Sequence, residues 1–366
     1  MHSLYDNIFT NKVKLVMIMK KVTIQDIADA LGVSRNTVSK AINNSDRIAD
    51  DTREKILQKA IEMGYKQFSY VSTLATLRNF EPTALNSSAP GFAGEVAVLT
   101  TAFLNTSHFA SLMLDKFQRE LSQLGYILNT YRVTEENLKS QTMPSAFDPS
   151  RVSAIICIEM FDRSYDLMVC GLGIPTLFVD GPCKRDGLSL PADQLYMESF
   201  TEISRFLNEM IKKGVRSFGF VGDYEHCQSF YERYGSFRFT LQMNEINVGE
   251  KFILKYNSFN DLKEALGRIK DLPELFVCAN DFIAVDVLRI LAERGVKVPE
   301  DVMIFGFDDS AESRMSRPPL STVHIHTQIM AFSALQLLLS RMKEPSLEYR
   351  IVYTQTDLIE RESTRQ

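Results

Sequence analysis

The chain has 366 residues and a net charge of −5, too long for one small core and suited to a small module joined to a larger body. An acidic total argues against a nucleic-acid binder, but residues 1–79 hold 12 Lys/Arg against 8 Asp/Glu while residues 80–366 hold 29 against 38, so any contact with DNA belongs to the head. Five cysteines without a C-x-x-C spacing argue against a disulfide framework or a zinc ribbon, and no apolar run approaches the ~20 residues that span a bilayer.

The N-terminal patch Leu15 to Met19 is too short for a secretory core and has no small-residue cleavage site behind it. The expected location is the cytoplasm, with no membrane partner. Next comes Thr23 to Asn44, TIQDIADALGVSRNTVSKAINN. Ile24, Ile27, Ala28 and Leu31 recur at helical spacing and predict a short helix with one inward stripe. Gly32 can adopt the left-handed conformation that stops a helix, Val33 supplies an apolar plug, and Ser34 is a good N-cap. The second helix then carries Val38, Ala41 and Ile42 inward and exposes Arg35, Asn36 and Lys40, residue types that reach base edges and phosphates in a major groove. Thr23 and Thr37 can hydrogen-bond phosphates. Asp51 with Glu54 has capping-box spacing and opens a third helix through Ile56, Leu57, Ala60, Ile61 and Met63. Two amphipathic helices around a glycine also make an ordinary hairpin; the third helix and the polar residues favour a DNA-binding head.

VTIQDIADALGVSRNTVSKAINN followed by DDTREKILQKAIEMGY resembles, without gaps from Val22 to Tyr65, the head of the lactose-repressor (LacI/GalR) family of bacterial regulators. The resemblance implies that Arg35 and Asn36 occupy the base-reading positions. Lys40 stands where the family usually has arginine, which replaces a two-pronged guanine reader by a point charge. Thr23, Asn43 and Arg47 fall at backbone-contacting positions, and Ser34 and Thr37 complete the expected DNA-binding set. Residues 1–18 have no counterpart in the pattern, which starts at Met19-Lys20-Lys21-Val22; initiation at Met19 or Met17 is the expectation, a mobile basic arm the alternative. The DNA-binding domain is placed at 19–66 and a hinge and linker at 67–95. In the family a leucine of the hinge wedges into the minor groove. Leu74 aligns with that wedge, Leu77 is a second candidate, and a plain tether is the alternative.

Beyond Val96 short apolar runs alternate with amphipathic helices. Strands are predicted at 96–100, 127–131, 154–158, 176–179, 217–221, 252–255, 275–278 and 302–307. Helices are predicted at 110–124, 199–213, 231–243, 262–270 and 283–294. Such alternation predicts parallel sheets covered on both faces, in two lobes that the chain crosses between more than once, with a ligand cleft beyond the carboxyl ends of the strands. The fold class is thus a small all-α helix-turn-helix head plus an α/β two-lobed body over 96–366.

GIPTLFVDG, Gly219-Phe220-Val221-Gly222, Ala279-Asn280-Asp281, Gly306-Phe307-Asp308-Asp309 and Pro319 to Val323 resemble the family's effector-binding body, a fold shared with periplasmic sugar-binding proteins. By that resemblance Phe109, Asp193, Arg233, Asn280 and Asp308 contact the effector. Carboxylates, an amide and a guanidinium around a cleft suit a ligand with several hydroxyls, such as a sugar. Asp281 is read as a helix cap or a lobe-closing ion pair. His324 and His326 share a strand face, but no third metal ligand is suggested. Asp308 and Asp309, adjacent at a strand end, point to opposite sides, which is poor geometry for a shared acid-base pair. No catalytic motif, metal or cofactor is expected. The expected function is a homodimeric transcription regulator, a repressor, whose partners are a double-stranded operator and a small-molecule effector, a carbohydrate by the chemistry of the cleft residues. A solute-binding protein on the same body is the alternative, and a sugar-processing enzyme a more distant one.

Overall fold

The computed structural model describes residues 23–42, 93–101, 108–184 and 187–365, together with 52, 55, 56, 59, 60 and 63. Residues 1–18, Asn43, Arg47, Leu74 and Leu77 lie outside this set. Two compact units divide the chain, residues 1–88 and 89–366.

In the head, α1 is Ile24–Leu31 and α2 is Arg35–Ile42. Thr23 caps α1: its hydroxyl oxygen accepts from Asp26 N at 3.2 Å while Asp26 Oδ2 accepts from Thr23 N at 2.8 Å. This satisfies two backbone donors that the first turn would otherwise leave unpaired. Gly32 ends the helix at φ 66°, where a side chain would be strained. Ser34 Oγ then accepts from Thr37 N at 3.0 Å and starts α2. Residues 52, 55, 56, 59 and 60 are helical as well. Ile27, Ala28, Val38, Ala41, Ile56 and Ala60 are buried together, with Ile24, Leu31, Val33 and Met63 packed around them. Three helices close this core, as the spacing of apolar residues requires.

The body has two lobes. In lobe 1, β1 (Gly94–Thr100), β2 (Tyr126–Arg132), β3 (Val152–Ile158), β4 (Thr176–Val179), β5 (Asp193–Met197) and β11 (Ile351–Thr354) form one parallel sheet in the order β11-β5-β4-β3-β1-β2. Both faces are covered. Along β1, Val96 and Val98 join one buried cluster and Ala97 and Leu99 the other, the alternation a strand imposes. Helices α3 (His108–Gln123), α4 (Glu135–Ser140), α5 (Arg163–Cys170) and α11 (Thr327–Lys343) belong to this lobe.

Lobe 2 is built on β6 (Phe218–Val221), β7 (Ile253–Leu254), β8 (Leu275–Cys278) and β9 (Met303–Phe305), parallel in the order β7-β6-β8-β9. Its helices are α6 (Thr201–Lys212), α7 (Gln228–Met243), α8 (Phe259–Arg268), α9 (Asp281–Glu293) and α10 (Ala311–Met315). An antiparallel pair, β10 (Thr322–Ile325) and β12 (Thr356–Ile359), completes it. The chain crosses between lobes after β5, between β10 and α11, and between β11 and β12. The eight expected strands are present; β5, β10, β11 and β12 were not expected. Asp193 opens β5, whose first two residues, Asp193 and Gln194, are polar yet buried.

Candidate functional site

A cavity of about 270 Å³ lies where the carboxyl ends of strands from both lobes meet, a little below the ~300–1,000 Å³ of drug-sized sites. Lobe 1 contributes Thr101 after β1, Phe109 on α3, Glu159 and Phe161 after β3, and Asp180 after β4. From lobe 2 come Ser229, Phe230 and Arg233 on the first turns of α7, Asn280 after β8 and Asp308 after β9. Glu159, Asp180 and Asp308 all have positive φ, at 53°, 49° and 124°. Such backbone costs about 1–3 kcal/mol per residue and persists where the surroundings enforce it, commonly at ligand sites.

Arg233 is 2% exposed. Its Nη1 donates to Ala279 O at 2.7 Å, its Nη2 lies 3.7 Å from Asp308 Oδ1, and the guanidinium stacks 3.6 Å over the Phe307 ring. Its Nε has no hydrogen-bond partner. Burial pushes the Asp308 carboxyl well above the usual carboxylate range; Arg233 opposes this, and Asp281, Glu159 and Asp180 reinforce it. Asn280 caps α9, its Oδ1 accepting from Ile283 N at 3.0 Å, so its amide nitrogen remains to donate toward the cavity it lines. Asp180 reaches across the cleft: Oδ2 accepts from Ser229 Oγ at 2.6 Å and Oδ1 from Ser229 N at 3.2 Å. Burial raises the Asp180 carboxyl, against the pull of Ser229 and Arg233.

Four of the five expected effector residues, Phe109, Arg233, Asn280 and Asp308, therefore line one cavity. Asp193 does not. It is fully buried elsewhere in lobe 1, where Arg341 Nη2 donates to it at 3.1 Å, Arg350 Nη2 at 2.9 Å and Arg350 N at 2.7 Å. Burial alone would raise this carboxyl; the bonds from Arg350 and Arg341 outweigh that and hold it below its ordinary value. Both oxygens are committed to fastening β5 to α11 and the start of β11, and none is left for a ligand.

Among the described residues Asp281 makes no ion pair, and its side chain does not cap α9. Its Oδ1 accepts from Thr322 Oγ1 at 2.7 Å and its Oδ2 from Ser310 N at 2.8 Å, tying α9 to β10 within lobe 2. A Cβ on Gly306 would meet that carboxylate at 2.2 Å, so only glycine fits there. Asp309 turns away from the cavity that Asp308 lines and takes bonds from Arg314, His324 and Arg361. His326 faces Asp357 at 3.1 Å. Among the described residues no group of three His, Cys, Asp or Glu side chains is placed to hold a metal.

Asp180, Ser229, Glu159 and Phe161 were not expected as site residues. Asp180 is next to last in the GIPTLFVDG run, and its place directly after an apolar strand was the available signal.

In the head, Arg35 and Asn36 are the first two residues of α2, and both are exposed, as are Ser34, Lys40 and Thr23; Thr37 is half-buried. Backbone donors, two cations and an amide therefore share the exposed start and outer face of one short helix.

The domain described as bacterial regulatory proteins, lacI family, matches residues 23–67, and the periplasmic binding protein-like domain matches residues 207–364. The chain is LacI-type. This LacI-type chain is 27% identical over 359 residues to the HTH-type transcriptional regulator GalR of Lacticaseibacillus casei, across 93% of the chain and 99% of that protein. It is 28% identical over 335 residues to the HTH-type transcriptional repressor PurR of Actinobacillus pleuropneumoniae serotype 3 (strain JL03), across 90% and 93%. Among solved structures, a lac repressor dimer bound to operator and the anti-inducer ONPF matches with a TM-score of 0.63 and 20% identity, over 94% of this chain and 99% of that one. A complex of the transcriptional regulator CelR with cellobiose matches with a TM-score of 0.63 and 21% identity, over 93% and 99%. These structures share the fold, a helix-turn-helix head on a two-lobed α/β body. The matched relatives are transcriptional regulators, not enzymes.

Proposed function

We propose that this LacI-type regulator acts as a homodimeric repressor, and that a small hydroxylated effector held between the lobes controls its grip on an operator. The observation that carries this is the cavity itself: Arg233, Asn280, Asp308 and Asp180 converge on it from four strand or helix ends of two lobes. Buried polar groups of this kind discriminate strongly between ligands, because each must find a partner or remain desolvated and unpaired. Arg35 and Asn36 read base edges, while Thr23, Ser34, Thr37 and Lys40 hold the phosphate backbone; Asn43, Arg47 and Leu74 join them as proposed contacts. A symmetric dimer presents two such helices to half-sites of a roughly two-fold operator.

Effector binding bears on the lobes' relative closure because the cleft is bonded from both sides. Asp180 of lobe 1 holds Ser229 of lobe 2, and Tyr353 Oη of lobe 1 donates to Glu232 Oε1 of lobe 2 at 2.7 Å. The response can be only as large as the effector's preference between two lobe arrangements. Asp308→Asn is expected to keep operator affinity within about twofold while abolishing the effector response, measured by fluorescence anisotropy on a labelled operator. A variant that still responds normally would place the effector elsewhere.

A further inference from the structure

We propose that Tyr353 and Glu232 are positioning residues of the cleft: with Gln228 they form a latch outside the cavity that holds α7 against lobe 1 without help from a ligand. The latch is independent of what binds in the cleft.

The first turns of α7 present two faces. Ser229 and Arg233, one turn apart, line the cavity. Gln228 and Glu232 stand one residue earlier on the same turns, about 100° round the helix, and line no part of it. They bond to each other, Gln228 Nε2 donating to Glu232 Oε1 at 2.9 Å, and each also bonds to lobe 1. Gln228 Oε1 accepts from Lys184 N at 2.9 Å, and Glu232 Oε1 accepts from Tyr353 Oη at 2.7 Å. A chain of hydrogen bonds thus leaves lobe 1 at Lys184, passes through two side chains of lobe 2 and returns to lobe 1 at Tyr353. The Gln228 amide is used at both ends, which fixes the way round it sits.

Lobe 1 holds its end of the latch in place. Tyr353 on β11 is the register partner of Tyr196 on β5, and the two rings stack at 5.4 Å, a cross-strand aromatic pair. Tyr196 is fully buried, its hydroxyl donates to Gln194 Oε1 at 2.8 Å, and the Lys184 ammonium lies 4.6 Å above its ring. Burial and the Glu232 carboxyl push the Tyr353 hydroxyl up, so it keeps the proton it donates. Tyr353 is nevertheless 45% exposed, so water can take the place of Glu232 and the latch can open without disturbing the core.

The bond from Ser229 to Asp180, also made across the cleft, lies in the cavity wall, where a ligand can compete for it. The latch lies outside the wall and survives that competition. The protein alone therefore sets the aim of Arg233 and Ser229, and a ligand meets a cleft already assembled. Opening the latch lowers the fraction of molecules in that arrangement, and apparent ligand affinity falls in the same proportion.

Hydrogen exchange on the full chain, read by mass spectrometry, tests this without a ligand. The reporters are backbone amides bonded between the lobes: Lys184 N, Gln228 N, which donates to Gly181 O at 3.0 Å, and Ser229 N, which donates to Asp180 Oδ1 at 3.2 Å. Strands β3 and β8 serve as references for global stability. Tyr353→Phe keeps the ring and its stack and removes only the hydroxyl. It is expected to speed exchange at the reporter amides about fivefold, the worth of one hydrogen bond, and to leave β3 and β8 unchanged. Glu232→Ala should do the same, while Glu232→Gln, whose amide oxygen still accepts, should exchange like the parent. Unchanged exchange at the reporters in Tyr353→Phe and Glu232→Ala overturns the latch. Equal acceleration in β3 and β8 also overturns it, because Tyr353 is then a contact of general stability. So does a Glu232→Gln variant as fast as Glu232→Ala. Asp308→Asn, which tests the cleft as the effector site, touches none of these bonds, so either reading can fail without the other.

Discussion

Asp166 of α5 is fully buried among the side chains behind the lobe 1 sheet, and neither of its carboxylate oxygens has a hydrogen-bond partner. Burial pushes its pKa up to about 8, with Asp162 adding to the shift and Arg163 opposing it. The folded protein thus keeps a proton on Asp166 across the window from about 4 to about 8, where the unfolded chain has released it. Stability must fall as pH rises through that window, by roughly 4 kcal/mol at neutral pH. Asp166→Asn keeps the shape and removes the titration, so its melting temperature should exceed that of the parent by a margin that widens from pH 5 to pH 8. Parallel melting curves across that range would contradict the assignment. Asp193 is the opposite case: its pKa is lowered, so its contribution is present above the unfolded carboxylate value and is lost as pH falls below it. Asp193→Ala should destabilise the chain by about 3–5 kcal/mol, because it leaves Arg341 buried without its partner. Chemical denaturation measures this directly. The residue was misread from sequence for a physical reason. A polar side chain after an apolar stretch looks the same in a ligand cleft and in a buried ion pair, and its partners stand 148 and 157 positions away. Arg233, Asn280 and Asp308 were legible because each sits one or a few residues past a strand or at a helix start, where this fold exposes side chains to its cleft.

At the scale of elements, α2 shows how few groups its exposed first turn depends on. Ser34 caps it and Arg35 and Asn36 open it. Ser34→Ala should cost about 1 kcal/mol of stability, seen as a lowered denaturation midpoint. Arg35→Ala should instead leave stability unchanged and relax operator preference by about 1–3 kcal/mol at one base position, seen by competition with single-base operator variants. Equal weakening on every sequence would make Arg35 a phosphate contact. Helical periodicity made α1 and α2 readable, as did the long apolar strands of the two sheets. β10, β11 and β12 are four-residue strands, and β11 is largely exposed at a sheet edge. In β11 and β12 only one position of four is buried, and so short a stretch with mixed exposure carries too little apolar or periodic signal to be distinguished from a loop.

At the scale of the whole body, two parallel sheets are joined by three crossings, and α7 is the element through which the lobes feel each other. Its first residues line the cavity, and Gln228 N donates to Gly181 O at 3.0 Å while Lys184 N donates to Gln228 Oε1 at 2.9 Å. A ligand that shifts α7 against lobe 1 must exchange these bonds for others, and that difference is the free energy available to act on DNA binding. The most direct measurement is selection of duplexes from a random pool by the full chain, repeated with a panel of sugars and with Asp308→Asn. The account predicts enrichment of a roughly two-fold symmetric site, with affinity changed about fivefold or more by a ligand that acts on the parent chain and not on the variant. No preference for any duplex over random competitor at moderate salt, with or without sugars, would contradict it.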